Sequence, residues 1–442
     1  MINVILAIDK NYGIGKNNLL PWKIKDDLKI FKEKTLNSII ILGRKTFESL
    51  PYLKDRTIFC VTKNFKTLNS NNNVPFLFES IEEAIDEAKK INKQIYIAGG
   101  GEIYKHVLQK YKHKIILHVS IINDIYDCDT FIDRNDIKDF VITSEEKYDN
   151  FVHCEMKYVE TFEKQYINLI EDIIKNGKMR TDRTNTGTIS LFGKNLNIDV
   201  SKYFPLLTTK RVFFRGVVEE LLFFISGKTD TKILENRGVN IWKGNTSREF
   251  LDARKLNHYE VGEYGPSYGY NWRFYGKKYK DDKSEGIDQL QNAIELIKND
   301  PTSRRIIVTA WNPSILNEIP LPACHYVFQF YVDDDNLSIL VDMRSCDVFL
   351  GLPFNIASYS LLLYMICHIT HKKPKDVIFM LGDTHIYQNH LTQCKEQISR
   401  FMKELPTLKF ARNVNNIDDF TFDDFLLKDY NPHPNIKADM AI

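Results

Sequence analysis

Short apolar runs alternate with helical patterns throughout the first 160 residues of the chain. Runs such as "SIIILG" (38–43) and "QIYIAGG" (94–100) predict buried strands, because they are continuous, short and rich in isoleucine. Between such runs, "DDLKIFKEK" (26–34) and "SIEEAIDEAKK" (80–90) carry apolar residues at helical spacing. Strands that alternate with helices build layered sheets, so we predict an α/β fold for this half of the chain.

The pattern changes near residues 160–164. The segment "FVHCEMKYVETF" (151–162) alternates in the manner of a strand, and helical spacing begins almost immediately after it. No Gly/Ser-rich or Pro-rich tether separates the two patterns. We therefore predict two closely apposed domains, 1–161 and 162–442.

Composition favours a role with small molecules. Sixty basic and 58 acidic residues leave a net charge of +2, so nothing in the balance requires nucleic acid as a partner. Seven scattered cysteines and a start without a signal-peptide pattern predict a reduced, cytoplasmic protein. The segment 351–370 has the length of a membrane span, about 20 residues, but it contains Pro353 and Asn355. We predict a helix buried between protein layers.

One carboxylate in the first half is predicted to lie on an apolar helix face. At helical spacing Asp27 shares a stripe with Ile24, Leu28 and Phe31, whereas Asp26 points elsewhere. A carboxylate in that position needs a partner, for example a ligand with paired donors such as an aminopyrimidine or pterin edge. An acid that favours the helix N-terminus explains the spacing equally well.

Three strand ends carry glycine turns or cations that suit a phosphate-rich ligand. The segment "AGGGEIY" (98–104) follows a strand and opens a helix whose free amides can bind a pyrophosphate, although a simple tight turn is the more frequent explanation. Arg44 and Lys45 follow a second strand, and Lys63 follows a third. Cations beside three strand ends favour one phosphate-rich ligand over three coincidences.

Four ordered motifs in this half resemble dihydrofolate reductase: "AIDKNYGIGKNNLLPW" (7–22), the Asp27 helix, "GRKTFESL" (43–50) and "AGGGEIY". The resemblance covers residues 1 to about 160 and implies that Asp27 holds the pterin and supports its protonation, beneath a loop with Leu20 and Trp22. It implies folate contacts from Phe31, Leu50, Arg56 and Ser120. It implies NADPH contacts from Ala7, Ile14, Arg44, Lys45, Thr46, Thr62, Lys63, Gly100, Gly101 and Glu102.

The second half offers a cysteine nucleophile in "LPACHYVFQFYV" (321–332). If this run is a strand, Cys324 and His325 point to opposite faces and cannot form a catalytic pair. Only a thiolate is strongly nucleophilic, and cations favour that form, so we expect arginines to activate Cys324. The candidates, which also suit a nucleotide phosphate although any one of them is more simply a surface charge, are Arg183, Arg304, Arg305 and Arg344.

Motifs from about residue 164 to Ile442 are similar to thymidylate synthase, among them "DPTSRRIIVTAWNP" (300–313), "LPACH" (321–325) and "RSCDVFLGLPFNIASY" (344–359). The resemblance implies an α+β domain in which Cys324 adds to carbon 6 of dUMP. The implied phosphate contacts are Arg183, Arg344 and Ser345, with Arg304 and Arg305 donated by a partner subunit. The other implied contacts are Asn355 to the uracil edge, His385 and Tyr387 to the deoxyribose hydroxyl, Glu220 and Tyr268 in proton transfer, and Asp347, Trp242 and the C-terminal "MAI" at the folate.

The chemistry of uracil agrees with that assignment. Uracil presents an N–H beside a carbonyl, and an amide such as that of Asn355 matches both groups, whereas a carboxylate suits cytosine. Thiolate addition gives an enolate that attacks the methylene carbon of methylenetetrahydrofolate, and the later steps yield dTMP and dihydrofolate. The nucleophile therefore needs no histidine base.

Together the resemblances imply a bifunctional enzyme that makes dTMP from dUMP and recycles dihydrofolate with NADPH. We expect a homodimer through the second domain, no membrane or nucleic acid partner, and no metal site. Two alternatives remain open. A cysteine hydrolase requires a histidine that faces Cys324, and a non-catalytic dimeric binding protein is disfavoured by the joint presence of Asp27, Cys324 and Asn355.

Overall fold

The structure is a computed structural model that describes residues 2–64, 75–181 and 186–439. The chain forms two compact units. Unit 1 comprises Met1–Glu160 and Phe401–Glu404, and unit 2 comprises Thr161–Arg400 and Leu405–Ile442. The predicted phosphate ligand Arg183 and the C-terminal "MAI" lie outside the described residues. The domain limits 1–161 and 162–442 stay a prediction.

The elements of the described residues are numbered along the chain. The strands are β1 (Ile2–Ile8), β2 (Gly13–Gly15), β3 (Ile39–Gly43), β4 (Thr57–Val61), β5 (Phe76–Phe78), β6 (Ile95–Ile97), β7 (Ile115–Ile122), β8 (Thr130–Phe131), β9 (Phe140–Lys147), β10 (Phe151–Tyr158), β11 (Lys178–Arg180), β12 (Thr188–Asp199), β13 (Ile307–Thr309), β14 (His325–Asp333), β15 (Asn336–Asp347), β16 (Lys373–Tyr387), β17 (Met402–Lys403), β18 (Thr407–Phe410) and β19 (Phe425–Lys428). The helices are α1 (Lys25–Thr35), α2 (Arg44–Ser49), α3 (Ile81–Lys89), α4 (Gly101–Tyr111), α5 (Arg134–Ile137), α6 (Phe162–Asn176), α7 (Phe214–Ile225), α8 (Lys232–Glu235), α9 (Arg248–Ala253), α10 (Tyr268–Phe274), α11 (Gln289–Asn299), α12 (Gly351–Thr370) and α13 (Leu391–Ser399).

Unit 1 is built on a nine-stranded sheet in the order β17-β9-β10-β7-β1-β6-β3-β4-β5. The strands from β7 to β5 run parallel, and β10 pairs antiparallel with both β7 and β9. The parallel strands are buried on both faces, which explains why their sequences are continuous apolar runs rather than alternating ones. The predicted α/β fold is confirmed.

The edge strand β17 comes from a part of the chain far beyond the rest of unit 1. It pairs parallel with β9. Lys403 is only 7% exposed, and its Nζ donates to Glu145 at 2.9 Å. Phe401 joins the apolar core of the unit, where its ring meets that of Tyr12 edge-on at 6.4 Å. Two strand residues leave no periodic signal in a sequence, so this pairing was not predicted.

Unit 2 is built on a six-stranded sheet in the order β11-β12-β16-β15-β14-β13. The apolar helix α12 packs against β15, β16 and α7. Within the described residues it is the one helix long and apolar enough to span a membrane, and 78% of its apolar window is buried inside the protein. The prediction of a helix buried between protein layers is therefore confirmed.

The other face of this sheet carries exposed apolar side chains. Successive strand residues point to opposite faces, so the residues that alternate with the core form a second surface. Its exposed members include Phe192 (82% exposed), Tyr331 (67%), Ile307 (44%) and Met380 (42%). A cavity of about 610 Å³ opens here, and Phe192, Met380 and Arg344 are among its lining residues. We call this surface the open sheet face.

Candidate active sites

In unit 1, Asp27 lies in the first turn of α1 and is half-buried. Burial raises the pKa of its carboxyl group above the usual value for aspartate, and a hydrogen bond from the Ser120 side chain opposes that shift. Ser120 is 2% exposed on β7. The structure therefore brings together two residues predicted to face the same ligand.

The predicted apolar stripe on α1 is divided between two small clusters. Ile24 packs against the cluster that contains Trp22, and Phe31 packs with Leu50 against another cluster. Leu28, however, is 52% exposed. The expectation of one continuous apolar face is wrong at Leu28, because neither cluster covers that side of the helix.

The predicted phosphate turns converge at the start of α4. Its N-cap residue, Gly100, supplies no side-chain cap, so the first amides of this helix have no side-chain partner there. The N–H of Gly43 donates to the carbonyl oxygen of Gly99 at 2.8 Å, which joins the turn before α2 to the turn before α4. A Cβ atom at Gly100 would lie 3.0 Å from Oγ1 of Thr46. The structure thus brings Thr46 and Gly100 together in a confined turn.

The other predicted nucleotide contacts surround this turn or lie on neighbouring strands. Ile14 is adjacent, since its Cδ1 would be 3.8 Å from a Cβ atom at Gly101. Arg44 pairs with Glu48 at 3.4 Å. Of the remaining predicted residues, Ala7 lies on β1, Thr62 is buried just after β4, and Lys45, Lys63 and Glu102 are exposed.

Arg56 is held by the backbone near the end of α1. Its guanidinium donates to the carbonyl oxygens of Lys32 at 2.9 Å and Lys54 at 2.8 Å, and its Nε donates to the hydroxyl of Thr35 at 3.2 Å. An arginine has five N–H donors, so this fixed position leaves donors for an anionic ligand.

In unit 2, Cys324 lies immediately before β14, next to a cation. Nη2 of Arg344 is 3.8 Å from the cysteine sulfur, and the same guanidinium donates to the carbonyl oxygens of Ala323 and Pro322, both at 2.8 Å. The backbone N–H of Cys324 donates to the Tyr268 hydroxyl at 2.7 Å. A fixed positive charge beside the sulfur favours the thiolate form.

His325 belongs to a different network. Its Nδ1 bonds with the hydroxyl of Tyr359 at 2.7 Å, and burial lowers the pKa of its ring to about 3. The predicted strand is confirmed, with His325 as its first residue. His325 is therefore not paired with Cys324, which counts against the hydrolase alternative.

A buried carboxylate lies in the same unit. Glu220 on α7 is 8% exposed and accepts a hydrogen bond from Nε1 of Trp242 at 2.8 Å. Burial raises the pKa of Glu220 to about 7, although the Trp242 hydrogen bond opposes the shift. Such a carboxyl group can both accept and release a proton near neutral pH.

The start of α12 brings two further predicted residues together. One carboxylate oxygen of Asp347 accepts hydrogen bonds from the backbone N–H groups of Phe349 at 3.0 Å and Leu350 at 3.2 Å. A Cβ atom at Gly351 would lie 3.6 Å from Cβ of Asp347 and 3.9 Å from Oδ1 of Asn355. Asp347 and Asn355 therefore flank the same helical turn.

The remaining predicted contacts lie on the strands of unit 2 or beside them. His385 and Ser345 are on adjacent strands, and Nδ1 of His385 is 3.1 Å from Oδ1 of Asp383. The Tyr387 ring meets that of His385 edge-on at 5.2 Å. Arg304 and Arg305 precede β13 and are exposed, and neither guanidinium has a partner among the residues that the structure describes. The structure does not bring these two arginines to Cys324 of their own chain.

Comparison with known proteins agrees with the resemblances predicted for both halves of the chain. The dihydrofolate reductase family model matches residues 1–164, and the thymidylate synthase family model matches residues 164–442. Bifunctional dihydrofolate reductase-thymidylate synthases of Paramecium tetraurelia and Zea mays are 41% and 39% identical to the chain. These alignments cover 100% and 99% of this chain, and 98% and 96% of the relatives. The relative from Plasmodium chabaudi is 36% identical over 92% of this chain and 84% of its own length.

The chain belongs to the bifunctional dihydrofolate reductase–thymidylate synthase family. Both predicted resemblances are confirmed. The chain converts dUMP and methylenetetrahydrofolate to dTMP and dihydrofolate, and it reduces dihydrofolate to tetrahydrofolate with NADPH. From here, unit 1 is called the reductase unit and unit 2 the synthase unit.

The confined turn of the reductase unit fits NADPH. The amides at the N-terminus of α4 are suited to a pyrophosphate, and glycine at position 100 lets a phosphate approach the backbone closely. The exposed cations Lys45 and Lys63 suit the additional ribose phosphate that distinguishes NADPH from NADH.

Two partners of the synthase site were missed from the sequence. The Tyr359 hydroxyl forms a hydrogen bond with Nδ1 of His325, and the Arg344 guanidinium lies over the Trp311 ring at 5.6 Å. Both contacts join residues distant in sequence. Tyr359 is the last residue of the motif "RSCDVFLGLPFNIASY", and that motif was its only available signal.

Proposed function

We propose that Asp27 and its surroundings carry the reductase reaction. Asp27 holds the aminopyrimidine edge of the pterin and supports its protonation, and NADPH supplies a hydride when bound. Leu20 and Trp22 cover the ring, Phe31 and Leu50 form one wall, and Arg56 takes the folate carboxylate. The supporting observation is the half-buried carboxylate of Asp27 with Ser120 as its hydrogen-bond donor. The proposed NADPH contacts are Ala7, Ile14, Arg44, Lys45, Thr46, Thr62, Lys63, Gly100, Gly101 and Glu102.

We propose that Cys324 is the nucleophile of the synthase reaction. Its thiolate adds to carbon 6 of dUMP, and the resulting enolate attacks the methylene carbon of methylenetetrahydrofolate. Elimination and hydride transfer from the folate then give dTMP and dihydrofolate, and the thiolate leaves. The observation that carries this assignment is the cysteine sulfur 3.8 Å from Nη2 of Arg344, while the neighbouring His325 bonds to Tyr359 instead.

The other synthase residues hold the substrates or move protons. Asn355 reads the uracil edge, and Asp347 and Trp242 contact the folate. Glu220 and the Tyr268 hydroxyl serve proton transfer, supported by the pKa of about 7 that burial gives Glu220. The proposed dUMP contacts besides Asn355 are Arg183, Arg304, Arg305, Arg344, Ser345, His385 and Tyr387.

Glu220→Gln is expected to lower synthase activity while stabilising the synthase unit at alkaline pH. Below about pH 4 the carboxyl group is protonated in the folded and the unfolded chain. As pH rises to 7, the Glu220 carboxyl group ionises in the unfolded chain but stays protonated in the folded chain. Because its pKa is raised in the folded chain, the parent becomes progressively less stable than the variant. The difference in the free energy of unfolding approaches about 3 kcal/mol at pH 8.

Thermal melts of the full chain from pH 5 to 8 test this expectation. The transition of the synthase unit is the one whose melting temperature rises when dUMP is added. Glu219→Gln is the matched control, because Glu219 is buried on the same helix but pairs with Arg237 at 2.6 Å. If the stability of Glu220→Gln relative to the parent does not increase with pH, the buried carboxyl group does not ionise near neutral pH as expected.

We propose a homodimer through the open sheet face. Exposed apolar side chains from several strands suggest an interface rather than a solvated surface, and the face can pair with its own copy about a twofold axis. Arg344 lines the cavity on this face, and Arg304 and Arg305, whose guanidinium groups have no partner among the described residues, lie beside its edge strand. A second copy would thus bring the arginine pair of one subunit to the phosphate site of the other.

Met380→Lys should therefore give monomers that lose synthase activity and keep reductase activity. Light scattering reports the mass of the full chain, and Leu426→Lys is the control, since Leu426 is equally 42% exposed but lies on β19, outside this face. Mixing Cys324→Ala with Arg304→Ala chains should restore part of the activity. Failure after verified subunit exchange contradicts the shared site.

We also propose that the enzyme is cytoplasmic and requires neither membrane nor nucleic acid. The low net charge of +2 and the burial of α12 support this proposal. All seven cysteines lie within the described residues, and none forms a disulfide.

A further inference from the structure

A buried histidine lies behind the reductase site. His153 on β10 is directly opposite Ser120 on β7 in the antiparallel pair. Its Nδ1 is 3.1 Å from the Ser120 hydroxyl oxygen, and the two residues are only 7% and 2% exposed. Since Ser120 also bonds to Asp27, the three side chains form one connected row.

The single hydrogen of the Ser120 hydroxyl fixes the direction of this row. When Asp27 is ionised its carboxylate can only accept, so in that form the bond uses the Ser120 hydroxyl hydrogen. The hydroxyl oxygen must then accept from His153, which places the imidazole hydrogen on Nδ1. Nε2 of His153 has no partner among the described residues, which is consistent with a bare nitrogen at that position.

The surroundings keep His153 neutral, as this arrangement requires. Burial lowers the pKa of its ring to about 4, and Lys34 on α1 acts in the same direction. Glu146 on β9 and Glu155 on β10 act in the opposite direction but do not prevail. The His118 ring on β7 stacks parallel to it at 6.3 Å, so a charge on one ring disfavours a charge on the other.

We propose that His153 is a positioning residue for the reductase reaction, one that holds the Ser120 hydroxyl as a donor to Asp27. The inference rests on the proposed role of Asp27. Without the Nδ1–H group, the hydroxyl is free to rotate and donate elsewhere. The Asp27 carboxylate then loses a stabilising hydrogen bond, and the pH dependence of the reductase moves.

His153→Phe keeps the ring volume and removes the donor, whereas His153→Asn keeps an N–H at nearly the same place. The readout is the pH profile of reductase kcat/KM for dihydrofolate in the full chain. We expect His153→Phe to raise the apparent pKa of the profile by about half a unit to one unit. His153→Asn should restore the parental profile, and synthase activity reports that each variant is folded.

Two further variants make the test specific. In a Ser120→Ala background, His153→Phe should produce no additional shift, because the residue through which it acts is gone. His118→Phe replaces the stacked neighbour, whose Nε2 is 3.1 Å from Oδ1 of Asn3, and should leave the profile in place. If His153→Phe does not fold, His153→Leu makes the same comparison.

An unchanged pH profile in His153→Phe overturns the inference. A shift caused by His153→Phe that persists in the Ser120→Ala background also overturns it. So does a shifted profile in His153→Asn. Asp27→Asn separates this result from failure of the proposed function. If Asp27→Asn retains full activity and the parental profile, the role of Asp27 itself is wrong. If it abolishes activity while His153→Phe changes nothing, only the role of His153 is wrong.

Discussion

Cys324→Ala is expected to abolish dTMP formation and to leave dihydrofolate reduction intact. The sulfur lies beside Arg344, whose guanidinium is fixed by two backbone carbonyls and favours a thiolate at this position. Alanine removes the atom that bonds to uracil, so no alternative path uses the remaining residues. We expect a loss on the order of 10⁵-fold or more, as for other enzymes that lose their covalent nucleophile.

The matched control is Cys346→Ala. Cys346 lies in the same unit and is fully buried, and it has no proposed contact with a substrate. Its variant should retain synthase activity, and both variants should reduce added dihydrofolate at the parental rate. Formation of dTMP by Cys324→Ala would refute the covalent mechanism, and loss of both activities would indicate unfolding rather than lost chemistry.

Asp27→Asn is expected to cost the reductase about 10²- to 10⁴-fold in kcat/KM, the usual contribution of a positioned acid–base group. Reduction of dihydrofolate requires a proton as well as a hydride, and Asp27 is the half-buried carboxylate proposed to support that protonation. Because burial raises the pKa of this group, the proton is retained to higher pH than on a free aspartate. The parental rate should fall as pH rises through that raised pKa.

Asn at position 27 cannot titrate, so the corresponding limb of the profile should disappear. Asp26→Asn is the control, because Asp26 is the exposed neighbour in the same helical turn. Synthase activity should be parental in both variants. A profile of Asp27→Asn that matches the parent would show that another group governs the proton.

The sequence predicted the elements that are defined by their own residues. Continuous apolar runs marked the parallel strands of the reductase unit, and the apolar run after Cys324 marked the strand β14, which begins at His325. The length and apolar character of 351–370 marked a buried helix. These predictions succeeded because each depends on local periodicity alone.

The sequence failed wherever a property depended on packing between distant segments. Leu28 fits the periodicity of an apolar face, yet its side chain is 52% exposed among the residues that the structure describes. The two-residue strand β17 and its buried Lys403 depend on a pairing with β9 that no local pattern encodes. His153 was invisible as a functional residue, because only the register of β10 against β7 places it on Ser120.

The most direct test of the account is one assay of the full chain with dUMP, methylenetetrahydrofolate and NADPH. The product of the synthase unit is the substrate of the reductase unit, so NADPH should be oxidised only when dUMP is present, in an amount equal to the dTMP formed. In Cys324→Ala, oxidation should require added dihydrofolate. Oxidation of NADPH that is independent of dUMP in the parent, or dTMP formation without oxidation, would contradict the account.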